Sequence, residues 1–86
     1  MNIFDSLLSA LSSASSVVRR DAWSVTLPQV AGRLSGEERG VLVCVLMDLR
    51  YAAIEAALER GCPSREVARS RDLTVRSLDE ALALVG

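Results

Sequence analysis

The stretch from Ser35 to Gly61 constrains the fold more than any other part of the chain. Ser35-Gly36-Glu37-Glu38 has the form of a capping box. In such a box the serine hydroxyl accepts from the backbone N–H three residues on, and the glutamate there reaches back. Gly61 has the form of a helix stop, the residue type that most easily takes a left-handed backbone. Between them, GVLVCVLMDL is ambiguous by itself, because a Val-rich run also suits a buried strand. Helix is the better reading, since caps flank the segment and YAAIEAALER continues it without a break. One long helix ending near Arg60 is therefore expected. Apolar residues on all its sides predict that it is central and largely buried.

The rest of the chain supplies shorter helical patterns. Ile3, Phe4, Leu7, Leu8, Leu11, Ala14, Val17 and Val18 recur at helical spacing, with Asn2 placed to cap and Asp5 near the positive helix end. Ser6, Ser9, Ser12, Ser13 and Ser16 occupy the opposite face. Residues 1–20 thus read as an amphipathic, Ser-rich helix that is marginal until its apolar face is packed. That face is either core or a partner-binding or homodimer face, docked helix-in-groove through Ile3, Phe4, Leu7, Leu8 and Leu11. Asp21 to Val25 reads as a connector, with Trp23 as a core anchor. Thr26-Leu27-Pro28-Gln29 reads as a second capping box with proline in the first turn, opening a helix to about Leu34. Cys62-Pro63 is expected to start a helix running through Ser70. Arg71 to Leu73 form a turn, and Thr74 caps a last helix with Val75, Leu78, Leu82 and Val85 inward. The expected fold is all-α, a single domain over residues 1–86. It is a small bundle of about five helices, with a helix-turn-helix-like unit over residues 61–86.

Composition narrows the function. The ten basic residues are all Arg and face eleven acids, giving a net charge of −1 with no His and no Lys. No bulk charge favours phosphate, so a strongly basic nucleic-acid binder is not indicated. Without His, a metal-ligand cluster or a Gly-rich phosphate loop, neither an enzyme, a bound metal nor a cofactor is expected. The absence of Lys fits a GC-rich bacterial coding sequence. Cys44, inside the apolar run, and Cys62, in a turn, do not make a disulfide framework. A reduced, cytoplasmic protein with a buried thiol at Cys44 is expected. The acid at Asp5 and the late Arg19-Arg20 do not suit a secretory signal. No run approaches membrane-spanning length, the longest being Val41 to Met47. The mean hydropathy of +0.28 is high for so short a chain, which implies that some apolar surface meets a partner.

The most informative stretch is GCPSREVARSRDLTVRSLDEALALVG, Gly61 to Gly86. Ala68 is a small residue that would let a second helix cross closely. Leu73, the cap candidate Thr74, then Leu78 and Leu82 follow at the spacing of a helix-turn-helix. This resembles the helix-turn-helix of sigma-factor region four and of LuxR-type regulators. Arg71 stands where an apolar residue is usual, and Asp72 where Gly is usual. An ordinary helical hairpin is the plain alternative. Gly61–Ala68 and Arg71–Val85 also resemble a helix-turn-helix variant of proteobacterial integrative and conjugative elements. That family includes transcriptional activators and small antiactivators that bind them. The resemblance implies an antiactivator, a short domain that occupies an activator's surface and does not read DNA. In residues 62–86, Arg65, Arg69, Arg71 and Arg76 are offset by Glu66, Asp72, Asp79 and Glu80. Each acid works against phosphate binding.

The expected function is that of a small transcription-regulatory protein. It would bind and inhibit a transcriptional activator through protein contacts, with Arg65, Arg69, Arg71, Arg76, Asp79 and Glu80 as candidate contact residues. DNA binding as a dimer through the same unit is the alternative. A phage or mobile-element inhibitor or adaptor using the first helix is a third reading. Asp5-Ser6-Leu7 matches the core of acyl carrier proteins, where Ser carries phosphopantetheine. Ser6 lacks the preceding helix and loop of that family, so a helix N-terminus is the simpler reading. Asp48 and Arg50 read as helix-surface charges or as charges paired with others, and Glu55 and Glu59, like charges at i,i+4, read as a solvated face, with a docking patch for a basic partner as the alternative.

Overall fold

A computed structural model describes residues 2–86, which contain no strand. Of the segment 1–20, Met1 lies outside the described residues. The expected all-α bundle is observed. Its helices are α1 (Ile3–Leu11), α2 (Ser16–Asp21), α3 (Leu27–Val30), α4 (Gly36–Glu59), α5 (Arg65–Arg71) and α6 (Leu73–Val85). At about 1.5 Å per residue, the 24 residues of α4 account for most of the 41 Å long axis.

The capping chemistry around α4 forms as the sequence dictates. Ser35 Oγ accepts from Glu38 N–H at 3.1 Å, and Glu38 Oε1 accepts from Ser35 N–H at 2.8 Å. At the other end Gly61 has φ +103°, a backbone that only glycine takes without strain. Gly61 N–H donates to Leu58 O and Cys62 N–H to Ala57 O, the paired bonds of a Schellman stop. Asn2 Oδ1 accepts from Asp5 N–H at 2.8 Å and caps α1.

The amphipathic segment is not one helix. α1 stops at Leu11 because the serines that follow compete for the backbone. Ser13 Oγ accepts from Ser15 N–H, Ser15 Oγ accepts from Val18 N–H, and Arg19 Nη1 donates to Ser13 O at 2.6 Å. Ser15 thereby starts α2 in a new direction, and Val17 and Val18 are exposed instead of extending the apolar face of α1.

The expected connector at Asp21–Val25 and the cap at Thr26 are both overturned. The chain stays helical from Ser16 to Arg33, with Ala22–Thr26 wound as a π-helix and Ala31–Arg33 as a 3-10 turn. Thr26 has helical backbone and caps nothing. Pro28 has no N–H to give the carbonyl four residues back, and its ring crowds that turn. The strain is relieved by widening the preceding turn, where Leu27 N–H donates to Ala22 O. Within that turn Ala22 and Trp23 are buried, so Trp23 is the expected anchor. Its Nε1–H donates to Ser77 Oγ on α6 at 2.9 Å.

The main core joins α1, the Trp23 segment, α4 and α6, through Leu7, Leu11, Trp23, Leu27, Leu42, Leu46 and Leu78. A second cluster of Ile54, Ala57, Ala68 and Val75 seats α5 in the angle between α4 and α6. The most extensive contact between helices is α4 against α6. Arg39 clips the ends together, donating to Ala31 O at 2.6 Å and Leu84 O at 2.9 Å.

α4 is not largely buried. Only Leu42, Leu46, Ile54 and Ala57 are enclosed, because so short a chain has too few helices to surround it. Cys44 is exposed and Cys62 half-buried, so the buried thiol expected at Cys44 is absent.

Candidate interaction surface

The C-terminal unit is α5 and α6, joined by the single residue Asp72. Ser64 Oγ accepts from Val67 N–H and starts α5, two residues later than expected at Cys62-Pro63. Asp72, not Thr74, caps α6: its Oδ1 accepts from Val75 N–H at 3.0 Å. Its Oδ2 accepts from Arg60 Nη2 at 2.9 Å, which ties this junction to the end of α4. Because α6 begins at Leu73, no turn of three or four residues separates the helices. Leu73 is 77% exposed instead of packing beneath the turn. Ala68, Val75 and Leu78 are buried, the packing that a close crossing of the two helices requires. Leu82 is half-buried, and Ala81 takes the enclosed position beside it.

The expected contact residues separate into two groups. Arg65 is held by the Glu55 carboxylate as an ion pair and lies over the Tyr51 ring, 5.7 Å from its centroid. Contact with Glu55, by hydrogen bonding and then by charge, raises the Arg65 pKa above its already high ordinary value, so the guanidinium stays charged. Asp79 Oδ1 accepts from Arg50 Nε at 2.6 Å. Arg69, Arg71, Arg76, Glu66 and Glu80 are exposed and have no ion-pair partner among the described residues. The charge left open on α5 and α6 is thus three Arg against two Glu. Beside the first turn of α6, Arg20 Nη2 donates to Thr74 Oγ1 at 3.1 Å.

The outward face of α6 carries Leu73, Arg76, Glu80 and Leu84, which share one side at helical spacing. Leu73 and Leu84 are both exposed. This face is mixed apolar and charged.

The apolar candidates on α1 are mostly committed to the core. Leu7 and Leu11 are enclosed, and Phe4 and Leu8 are half-buried against the same cluster. Only Ile3 is exposed. Ser6, in the Asp5-Ser6-Leu7 match, is exposed in the first turns of α1, with no preceding helix among the described residues.

A surface that the sequence reading missed lies on α4. Val41, Cys44, Met47 and Tyr51 are exposed along one side of it. The all-round apolar pattern concealed it, since periodicity alone does not say which side neighbours will cover. Among the described residues, no group of three or more potential metal-ligating side chains occurs and no helix is long and apolar enough to cross a membrane. Compared with known protein families, characterised proteins and solved structures, the chain matches none.

Proposed function

We infer that this chain is a small transcription-regulatory protein that acts by protein–protein binding, in the manner of an antiactivator that occupies a transcriptional activator. The observation that carries the reading is the outer face of α6, where exposed Leu73 and Leu84 flank Arg76 and Glu80. A helix that enters a DNA groove gains most of its non-specific affinity from cations on phosphates. Exposed leucines and a carboxylate gain nothing there. Against a protein partner they supply apolar area and a polar rim. Pull-down of the transcriptional activators encoded beside this gene tests the reading. A stoichiometric complex that Leu73→Asp or Leu84→Asp weakens supports it, and failure to retain any of them removes its basis.

One observation favours the alternative of direct DNA binding. Arg20 sits against the first turn of α6, and Arg69 and Arg76 are open nearby in sequence. On that reading a low-salt gel shift finds affinity that falls steeply with salt and weakens on Arg20→Ala or Arg76→Ala.

A further inference from the structure

Two clefts meet at Trp23. The first, of about 320 Å³, has Val17, Arg19, Arg20, Trp23 and Thr74 in its walls. The second, of about 280 Å³, shares Arg19, Trp23 and Thr74 and has Leu49, Ala52, Ala53 and Ala56 of α4 as its floor. No acidic side chain lines either cleft. Arg19 and Arg20 stand there without a counter-ion. Arg50, Arg60 and Arg65 are the arginines paired with carboxylates among the described residues. Arg19 and Arg20 are fixed by neutral oxygens instead: Arg19 Nη1 donates to Ser13 O at 2.6 Å, and Arg20 Nη2 donates to Thr74 Oγ1 at 3.1 Å. A guanidinium has five N–H donors, so each keeps most of its donors open. Thr74 Oγ1 serves as an acceptor, and its own O–H has no acceptor among the described residues. The polar groups on the shared wall are therefore held in place and offer donors.

We propose that the joined clefts bind a small amphiphilic anion, a carboxylate or a phosphate ester on a short hydrocarbon chain. Two observations specify the two halves of that ligand. The head follows from charge. In a chain whose net charge is −1, two guanidinium groups beside one cavity with no acid are a local excess that an anion offsets. Arg19, Arg20 and the Thr74 hydroxyl give it charge-assisted hydrogen bonds, and because the guanidinium groups are already tethered, little ordering is needed. The tail follows from the rest of the lining. Val17, 68% exposed, stands on the rim. The Trp23 indole N–H is used on Ser77 Oγ, so its ring offers the clefts apolar surface. The alanines of the α4 floor are too small to fill the groove above them. Each cleft is near the lower end of the size range of ligand pockets, which suits a short chain. Leu73, Arg76, Glu80 and Leu84 line neither cleft. Binding here is thus independent of the regulatory reading and is measured on the purified chain alone.

Titration of the full chain with octanoate and with octyl phosphate, up to about 1 mM, tests this through the fluorescence of Trp23 and through calorimetry. Saturable one-to-one binding is expected, and the tighter of the two probes identifies the preferred head group. Acetate and inorganic phosphate lack the chain and octylamine lacks the anion, so each is expected to bind at least about tenfold more weakly. Arg20→Gln removes one cation and is expected to weaken both probes about tenfold. Ala52→Leu keeps both arginines and fills the floor. Ala52 is exposed and Leu is nearly as good a helix former as Ala, so the fold is expected to persist while octanoate binding falls about tenfold. No saturation by either amphiphile overturns the proposal. So does inorganic phosphate that binds as tightly as octyl phosphate, which would reduce the site to two surface cations. Binding that neither Arg20→Gln nor Ala52→Leu weakens overturns it as well.

Discussion

Asp72 carries two interactions at the junction of α5 and α6, and replacing it separates them. Its Oδ1 caps α6 through Val75 N–H and its Oδ2 binds Arg60. Losing a side-chain N-cap costs about 1 kcal/mol. The ion pair is worth less: the Arg60 side chain is 64% exposed although that of Asp72 is only 15% exposed. Solvent screening holds such a pair to about 0.5 kcal/mol. Asp72→Ala should therefore cost about 1.5 kcal/mol, and for a domain of this size that lowers the melting temperature by about 6–12 °C. Asn caps as well as Asp, so Asp72→Asn should lose only the ion pair, about 2–4 °C. Arg60→Ala should match Asp72→Asn. Thermal unfolding followed by far-UV circular dichroism, and by the fluorescence of the single Trp23, measures all three. In high salt the Asn variant should converge on the parent, whereas the Ala variant keeps most of its deficit. If Asp72→Ala loses no more than Asp72→Asn, capping by Asp72 is not what starts α6.

Four further substitutions test the architecture. Gly61→Ala forces an L-residue to φ +103° and should cost about 1–2 kcal/mol in denaturant unfolding; an unchanged midpoint would remove the Schellman stop. Leu46→Ala should cost about 2–5 kcal/mol, because Leu46 is fully enclosed. Met47→Ala, one residue on, should change stability by less than about 0.5 kcal/mol, because Met47 is exposed. Equal losses at the two positions would contradict the half-open α4. Arg39→Lys cannot reproduce the fork that reaches both Ala31 O and Leu84 O. It should lose about 1 kcal/mol, and faster amide exchange at the C-terminal end of α6 should accompany the loss.

What the sequence made legible was local chemistry. The Ser35–Glu38 box, the Asn2 cap and the Gly61 stop each depend on residues within one or two turns, and each forms as expected. Where two local options compete, distant contacts decide. Thr74 and Asp72 are both good caps, and the choice falls to Asp72, which also reaches Arg60 twelve residues away. Pro28 reads as a first-turn proline, yet the burial of Ala22 and Trp23 keeps the chain helical through it, and the π turn absorbs the misfit. The break after Leu11 depends on which serines turn back to the backbone, a choice that helical periodicity does not register. The candidate surface was legible in its charge balance and not in its geometry. The pairing of Arg65 needs Glu55, and its seat over a ring needs Tyr51, both from a different helix. The exposure of Leu73 follows from where α6 begins, and the exposed side of α4 follows from what the other helices leave uncovered.

The regulatory reading is tested most directly by titrating the purified chain into a fluorescently labelled transcriptional activator encoded beside its gene, across a salt series. The expected result is saturable one-to-one binding that changes little with salt and is lost on Leu73→Asp while the fold persists. No binding to the activator, together with retention of duplex DNA that falls steeply with salt and weakens on Arg76→Ala, would contradict it and assign α6 to the DNA groove.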